Sequence, residues 1–135
     1  MTLKLEQPYS YTSLAHRLTL RSAADLSGRR YVWLEAENLA GRTVTVTSVW
    51  LRLDQVATLR KHLAAGTRYE TMDHTGDRLI VRPGVETVVE VTRRPVVGEA
   101  AATVRVRVPS DRLPELRTAL AATAEQAQQR TGASS

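Results

Sequence analysis

The chain has 135 residues, the length of one domain, and a globular chain of that size buries roughly two thirds of the surface it exposes when unfolded. Its 24% charged and 42% hydrophobic residues place it with folded proteins and exclude an intrinsically disordered one. With no Cys it can form no disulfide, thiolate metal site or cysteine nucleophile. Its net charge of +5 rests almost wholly on Arg, whose planar fork suits phosphate and carboxylate.

The first residues, Met1 to Pro8, lack the apolar core of a signal peptide, and no apolar run approaches the roughly 20 residues that span a bilayer. A cytoplasmic protein with no membrane partner is therefore expected. Leu3–Glu6 reads as a short first strand. Leu14, His16, Leu18 and Leu20 then alternate with polar neighbours, the period of a half-buried strand. Asp25–Arg29 is a turn. Tyr31–Glu37 alternates again, with Val32, Leu34 and Ala36 as the apolar parity, and Asn38–Gly41 closes a hairpin.

Thr43–Leu53 is a β-branched run whose apolar parity moves from Val44 and Val46 to Val49, Leu51 and Leu53, which predicts a bulge near Thr47–Ser48. Asp54 follows as a predicted N-cap. Val56, Leu59 and Leu63 mark the buried face of a helix of about three turns, and Gly66 stands at its C′ position.

The second half repeats this plan. Arg68–Met72 is a strand, Asp73–Asp77 a polar turn, and Arg78–Arg82 a strand ended by Pro83–Gly84. Val85–Thr92 alternates, Arg93–Gly98 connects, and Thr103–Val108 is the cleanest strand in the chain. Pro109 stops it and Ser110 is placed to cap the last helix. Pro114 falls in the first turn, where its missing N–H is tolerated, and Leu113, Leu116, Leu120 and Ala124 form the buried stripe. Apolar periodicity fades from Gln126.

At one constant offset Asp54 matches Asp111, Leu59 matches Leu116, Arg60 matches Arg117 and Leu63 matches Leu120. Runs of strands that each end in a helix indicate an α+β fold rather than a parallel βαβ one. The expected architecture is a single domain over residues 1–130, built from two similar β-rich halves of about 1–66 and 67–130. Each half has several antiparallel strands followed by one helix, and a disordered tail follows at 131–135. This order of elements resembles the Whirly and PUR families of single-stranded nucleic-acid-binding proteins. The resemblance implies two curved sheets that face DNA or RNA, with helices holding the halves or subunits together. The lysine-rich strand motif of plant Whirly proteins and the aromatic signature of PUR repeats are both absent here, so no individual residue carries over.

Strand parity selects the candidate surface. Tyr31 and Trp33 oppose Val32 and Leu34; Trp50 and Arg52 oppose Leu51 and Leu53; Arg105 and Arg107 oppose Val104, Val106 and Val108. Arg17 and Arg21 share the outward parity. Bases stack on rings for roughly 1–3 kcal/mol each while Arg neutralises phosphates, so Tyr31, Trp33, Trp50, Arg52, Arg105 and Arg107 form the expected nucleic-acid or partner surface. The competing reading pairs these Arg with Glu35, Glu37, Glu86 and Glu90 across strands, and buries the two Trp in a subunit interface. An Arg and Ala excess also follows from a GC-rich genome with no function attached.

Asp73–Asp77 lacks the ligand count of a calcium or zinc loop and reads as a hairpin turn. His16 lies on the apolar parity of its strand, and His62 sits beside Arg60 and Lys61 near a helix C-terminus, where cations offset the dipole. No phosphate loop, serine elbow or paired helical His is present. The expectation is a non-catalytic binding or regulatory protein without cofactor or metal. It self-associates and contacts single-stranded DNA or RNA, or protein, through an exposed sheet face. The alternatives are a pure protein–protein interaction module, and a small-molecule binder or enzyme with a pocket between the halves near His16 or the Asp73–Asp77 turn.

Overall fold

The computed structural model describes residues 9–133, and the expected strand at Leu3–Glu6 lies outside them. Strands β1 (Tyr9–Ser13), β2 (His16–Ala24), β3 (Arg30–Asn38) and β4 (Thr45–Arg52) form one antiparallel sheet in that order. Helix α1 (Leu53–Ala65) follows. Strands β5 (Tyr69–Met72), β6 (Arg78–Arg82), β7 (Glu86–Arg93) and β8 (Ala102–Pro109) form the second sheet, and a 3-10 turn at Ser110–Arg112 leads into helix α2 (Leu113–Ala133). The fold is α+β with two similar halves, as the element order predicts.

Both halves share one core. Leu18, Leu20, Val32, Leu34, Val49 and Leu51 from the first sheet meet Leu79, Val81, Val89, Val91, Val104 and Val106 from the second. The helices add Val56, Leu59 and Leu63 from α1, with Leu116, Ala119 and Leu120 from α2. Because strand side chains alternate, burying one parity of each sheet sends the other parity outward, and the two outer faces point away from the shared core.

No bulge interrupts β4. Its register against β3 runs unbroken from Asn38↔Thr45 to Tyr31↔Arg52. Thr47 is 1% exposed beside Val49 and Leu51, its hydroxyl donating to the Ala36 carbonyl at 3.3 Å, while Val46 faces out with Ser48 and Trp50. The apparent parity switch comes from a Thr that reads as outward by type yet lies inside, since a satisfied hydroxyl can occupy a core position. Leu14, expected inside a strand, sits fully exposed in the β1–β2 turn at φ 52°.

Both helix starts differ from expectation, and so does the end of α2, which runs into the expected tail at 131–135; the end of α1 agrees. Arg52, not Asp54, is the N-cap of α1, and its N–H donates to the Gln55 side chain at 2.8 Å. Asp54 lies in the first turn, where its charge still complements the dipole. Ser110 caps nothing; its hydroxyl ties the turn to the Val85 carbonyl at 2.9 Å. Helix α2 extends through Ala133, since the Ala, Glu and Gln that carry no apolar stripe are strong helix formers, while Ser134 and Ser135 lie outside the described residues.

Gly66 closes α1 at φ 69°, ψ 36°, its N–H returning to the His62 carbonyl. A Cβ placed there meets nothing within 4 Å, so Gly66→Ala is opposed by backbone strain alone. The expected loss is about 1 kcal/mol of unfolding free energy, read from a urea midpoint at unchanged slope.

Candidate nucleic-acid interface

The register of β3 against β4 puts Trp33 opposite Trp50 and Tyr31 opposite Arg52 on the outer face of the first sheet. The Trp33 and Trp50 rings lie 4.9 Å apart at 35°, and Tyr31 meets Trp50 edge-on at 5.3 Å. Both Trp are half-buried. The Trp33 indole N–H has no acceptor among the described residues. Arg21 of β2 stands opposite Trp33 on the other side.

At the end of the patch Arg52 donates to both Asp54 carboxylate oxygens, at 3.0 and 3.3 Å. This pairing holds the Asp54 carboxyl below, and the Arg52 guanidinium above, its ordinary range. The pair is exposed and is worth little to stability. Beside it runs a groove of about 370 Å³ bounded by Arg29, Arg30, Tyr31, Arg52, Leu53 and Asp54. Guanidinium groups thus border the rings on one side.

Two turns of one sequence pattern grip Tyr31. Asp25–Leu26–Ser27–Gly28 joins β2 to β3, and Asp73–His74–Thr75–Gly76 joins β5 to β6. In each, one carboxylate oxygen of the Asp accepts the hydroxyl at the third position at 2.6 Å and that residue's N–H at 2.9 Å. Hydrogen bonding, from Ser27 above all, holds the Asp25 carboxyl below its usual range. Its other oxygen accepts the Tyr31 hydroxyl at 3.4 Å. The second turn instead lays the His74 ring over Tyr31, centroids 5.4 Å apart at 29°, and edge-on to Trp50 at 6.2 Å.

The structure therefore brings Tyr31, Trp33, Trp50 and Arg52 together. Arg105 and Arg107 occupy the outer face of the second sheet. Arg105 shares the Glu90 carboxylate with Arg82, each at 3.2 Å, and Arg107 stands opposite Val88 with no ion-pair partner among the described residues. The competing expectation of cross-strand ion pairs holds for Arg105 with Glu90, and for Arg17 with Glu37. His74 escaped sequence reasoning as a ring of the patch, because its place there depends on the tertiary bond between Asp73 and the Trp50 N–H. Among the described residues no group of three or more metal-ligating side chains converges.

Arg17 holds Glu37 in a two-point contact of 2.8 and 3.0 Å, which keeps the Glu37 carboxyl below its usual range. A carboxyl depressed by folding contributes stability above its unfolded value, about 4.3, and loses it as pH falls through the folded one. Unfolding free energy should fall on acidification below about pH 4.3, and Arg17→Ala should make that acid limb shallower in urea titrations at stepped pH.

The arrangement of two four-stranded antiparallel sheets, each followed by a helix, is a Whirly-like fold. Similar solved structures include the plant transcriptional regulator PBF-2, with a TM-score of 0.70, 15% identity, and coverage of 98% of this chain and 96% of that one. WHY3 from Arabidopsis thaliana aligns with a TM-score of 0.64 and 12% identity over 98% of this chain and 95% of its own. WHY1 from the same plant aligns at 0.66 and 15% over 87% and 88%. No protein-family model matches the chain, and no curated protein matches it by sequence.

Proposed function

We propose that this chain is a non-catalytic regulatory protein that binds single-stranded nucleic acid on the outer face of its first sheet. The observation that carries the reading is the half-buried Trp33–Trp50 pair at 4.9 Å, flanked by Arg21 across β2 and by Arg52 along β4. An open sheet gains nothing in its own core from outward indoles; rings beside guanidiniums supply stacking and phosphate neutralisation together. Duplex bases are stacked on one another and offer no free face, so single strands are the favoured ligand. The likeness in fold to a plant transcriptional regulator supports a regulatory role.

Self-association belongs to the same proposal, because a multimer joins several short aromatic patches along one strand and multiplies weak contacts. Arg82, Arg105 and Arg107 on the second sheet would then add phosphate contacts to a strand that leaves the first.

Anisotropy of a dye-labelled single-stranded oligonucleotide is the direct test. Binding should weaken steeply with salt, with a log–log slope of about −0.7 for each phosphate contacted, and the matching duplex should bind far less. Equal affinity for duplex, or no binding at low salt, would remove the proposal. Light scattering across micromolar concentrations should show a species heavier than the monomer; a strict monomer counts against the self-association part.

A further inference from the structure

We infer that His74 is a nucleobase-contacting residue of this surface, and that Asp73 is the positioning residue that delivers it there. The inference rests on the single-strand reading above and names which rings meet the ligand.

Tyr31 is only 4% exposed, so no base can reach its face while His74 lies over it. His74 itself is exposed. Along the column of Trp33, Trp50, Tyr31 and His74, the ring presented to solvent at the Tyr31 end is therefore the imidazole, with Tyr31 as its support. An aromatic ring resting flat on another offers its second face to an incoming base, as stacking surfaces for single strands do.

His74 belongs to the second half of the chain, while its neighbours Tyr31 and Trp50 belong to the first. Asp73 makes the link. It is 6% exposed, and its Oδ2 accepts the backbone N–H of Trp50 at 2.9 Å. Strand β4 is the edge of its sheet, so that N–H has no neighbouring strand to satisfy it. The Oδ1 atom accepts the N–H and hydroxyl of Thr75 and the N–H of Asp77, at 2.9, 2.6 and 3.0 Å. One carboxylate thus fixes the turn internally and anchors it to the very residue whose indole His74 flanks.

The twin turn serves as an internal comparison. Asp25 builds the same loop, but its spare oxygen goes to the Tyr31 hydroxyl and the residue at its tip, Leu26, is fully exposed. The turn pattern alone does not place a ring on the patch. The Asp73–Trp50 bond together with a His at the tip does.

The test uses the full chain and a dye-labelled oligo(dT). His74→Ala, which leaves every bond of Asp73 in place, should weaken binding about tenfold, the loss of one stacked base. His74→Phe should restore affinity to within about twofold of the parent, since a ring remains. Asp73→Asn should weaken binding as His74→Ala does, and should weaken it no further when placed on the His74→Ala background, because a residue acting only through another is non-additive with it. In proton NMR of the free protein, the His74 ring resonances should lie upfield under the Tyr31 current and return toward ordinary values in Asp73→Asn. Unchanged affinity in His74→Ala, with the parent binding normally, overturns the inference and leaves the single-strand reading intact. Additive losses in the double variant overturn the role of Asp73. A parent that binds no oligonucleotide overturns both readings.

Discussion

Leu120→Ala should lower unfolding free energy by about 3–4 kcal/mol, the largest stability change expected from any single truncation here. Leu120 has no solvent exposure and lines, with Leu18, Leu34, Leu59, Leu63, Val81, Val89 and Leu116, an apolar void of about 10 Å³. Those residues come from β2, β3, β6, β7, α1 and α2, so both sheets and both helices converge on this point. Truncating Leu120 enlarges a void whose walls are already fixed by strand pairing on two sides. The surroundings can relax little, which places the cost in the upper half of the usual range. A domain of ordinary stability, about 5–15 kcal/mol, survives that loss at room temperature. The check is a urea midpoint shifted at unchanged slope, beside Leu113→Ala at a half-buried position, which should cost much less. A shift below about 1 kcal/mol would mean that α2 does not hold the two sheets together.

Trp50→Ala should weaken oligonucleotide binding by about 10- to 100-fold, the largest effect expected on function. Trp50 touches Trp33, Tyr31 and His74, so its removal takes away one stacking surface and loosens the three rings around it. Trp50→Phe keeps a ring and should recover most of the loss. The salt slope should stay unchanged in both, since it counts neutralised phosphates rather than stacked bases. Arg52→Ala should do the opposite, with a modest loss and a slope shallower by about one phosphate contact. A Trp50→Ala variant with full affinity would place the ligand elsewhere.

Much of this was legible in the sequence where one residue type marks one environment. Val104, Val106 and Val108 alternate with Arg105 and Arg107, and β8 forms with that parity. Gly66 ends a helix because few other residues tolerate its backbone angles. Legibility failed where a residue stood in an environment its type disguises. Thr47 is polar by type and buried in fact, which produced a bulge that does not exist. The later part of α2 buries Thr123 and Ala127, side chains too small or too polar to reveal a helical face, so the helix runs well beyond its visible stripe.

The candidate surface divides along the same line. Parity alone assigned Trp33 and Trp50 to an outer face, and their meeting follows from adjacent strands. Parity cannot tell which outer face a strand of the other half joins, so Arg105 and Arg107 were grouped with rings that project from a different sheet. The place of His74 depends on one tertiary hydrogen bond, from the Trp50 N–H to Asp73, between residues of different halves. Nothing local to Asp73–Asp77 encodes that partner.

The chain has two Trp, and both lie in the proposed surface, so its entire indole emission reports from there. Titrating the unlabelled protein with a single-stranded oligonucleotide at low salt should quench that emission, saturating at the concentration where anisotropy saturates. Binding seen by anisotropy with Trp emission unmoved would contradict the account, and would shift the ligand to the arginines of the second sheet.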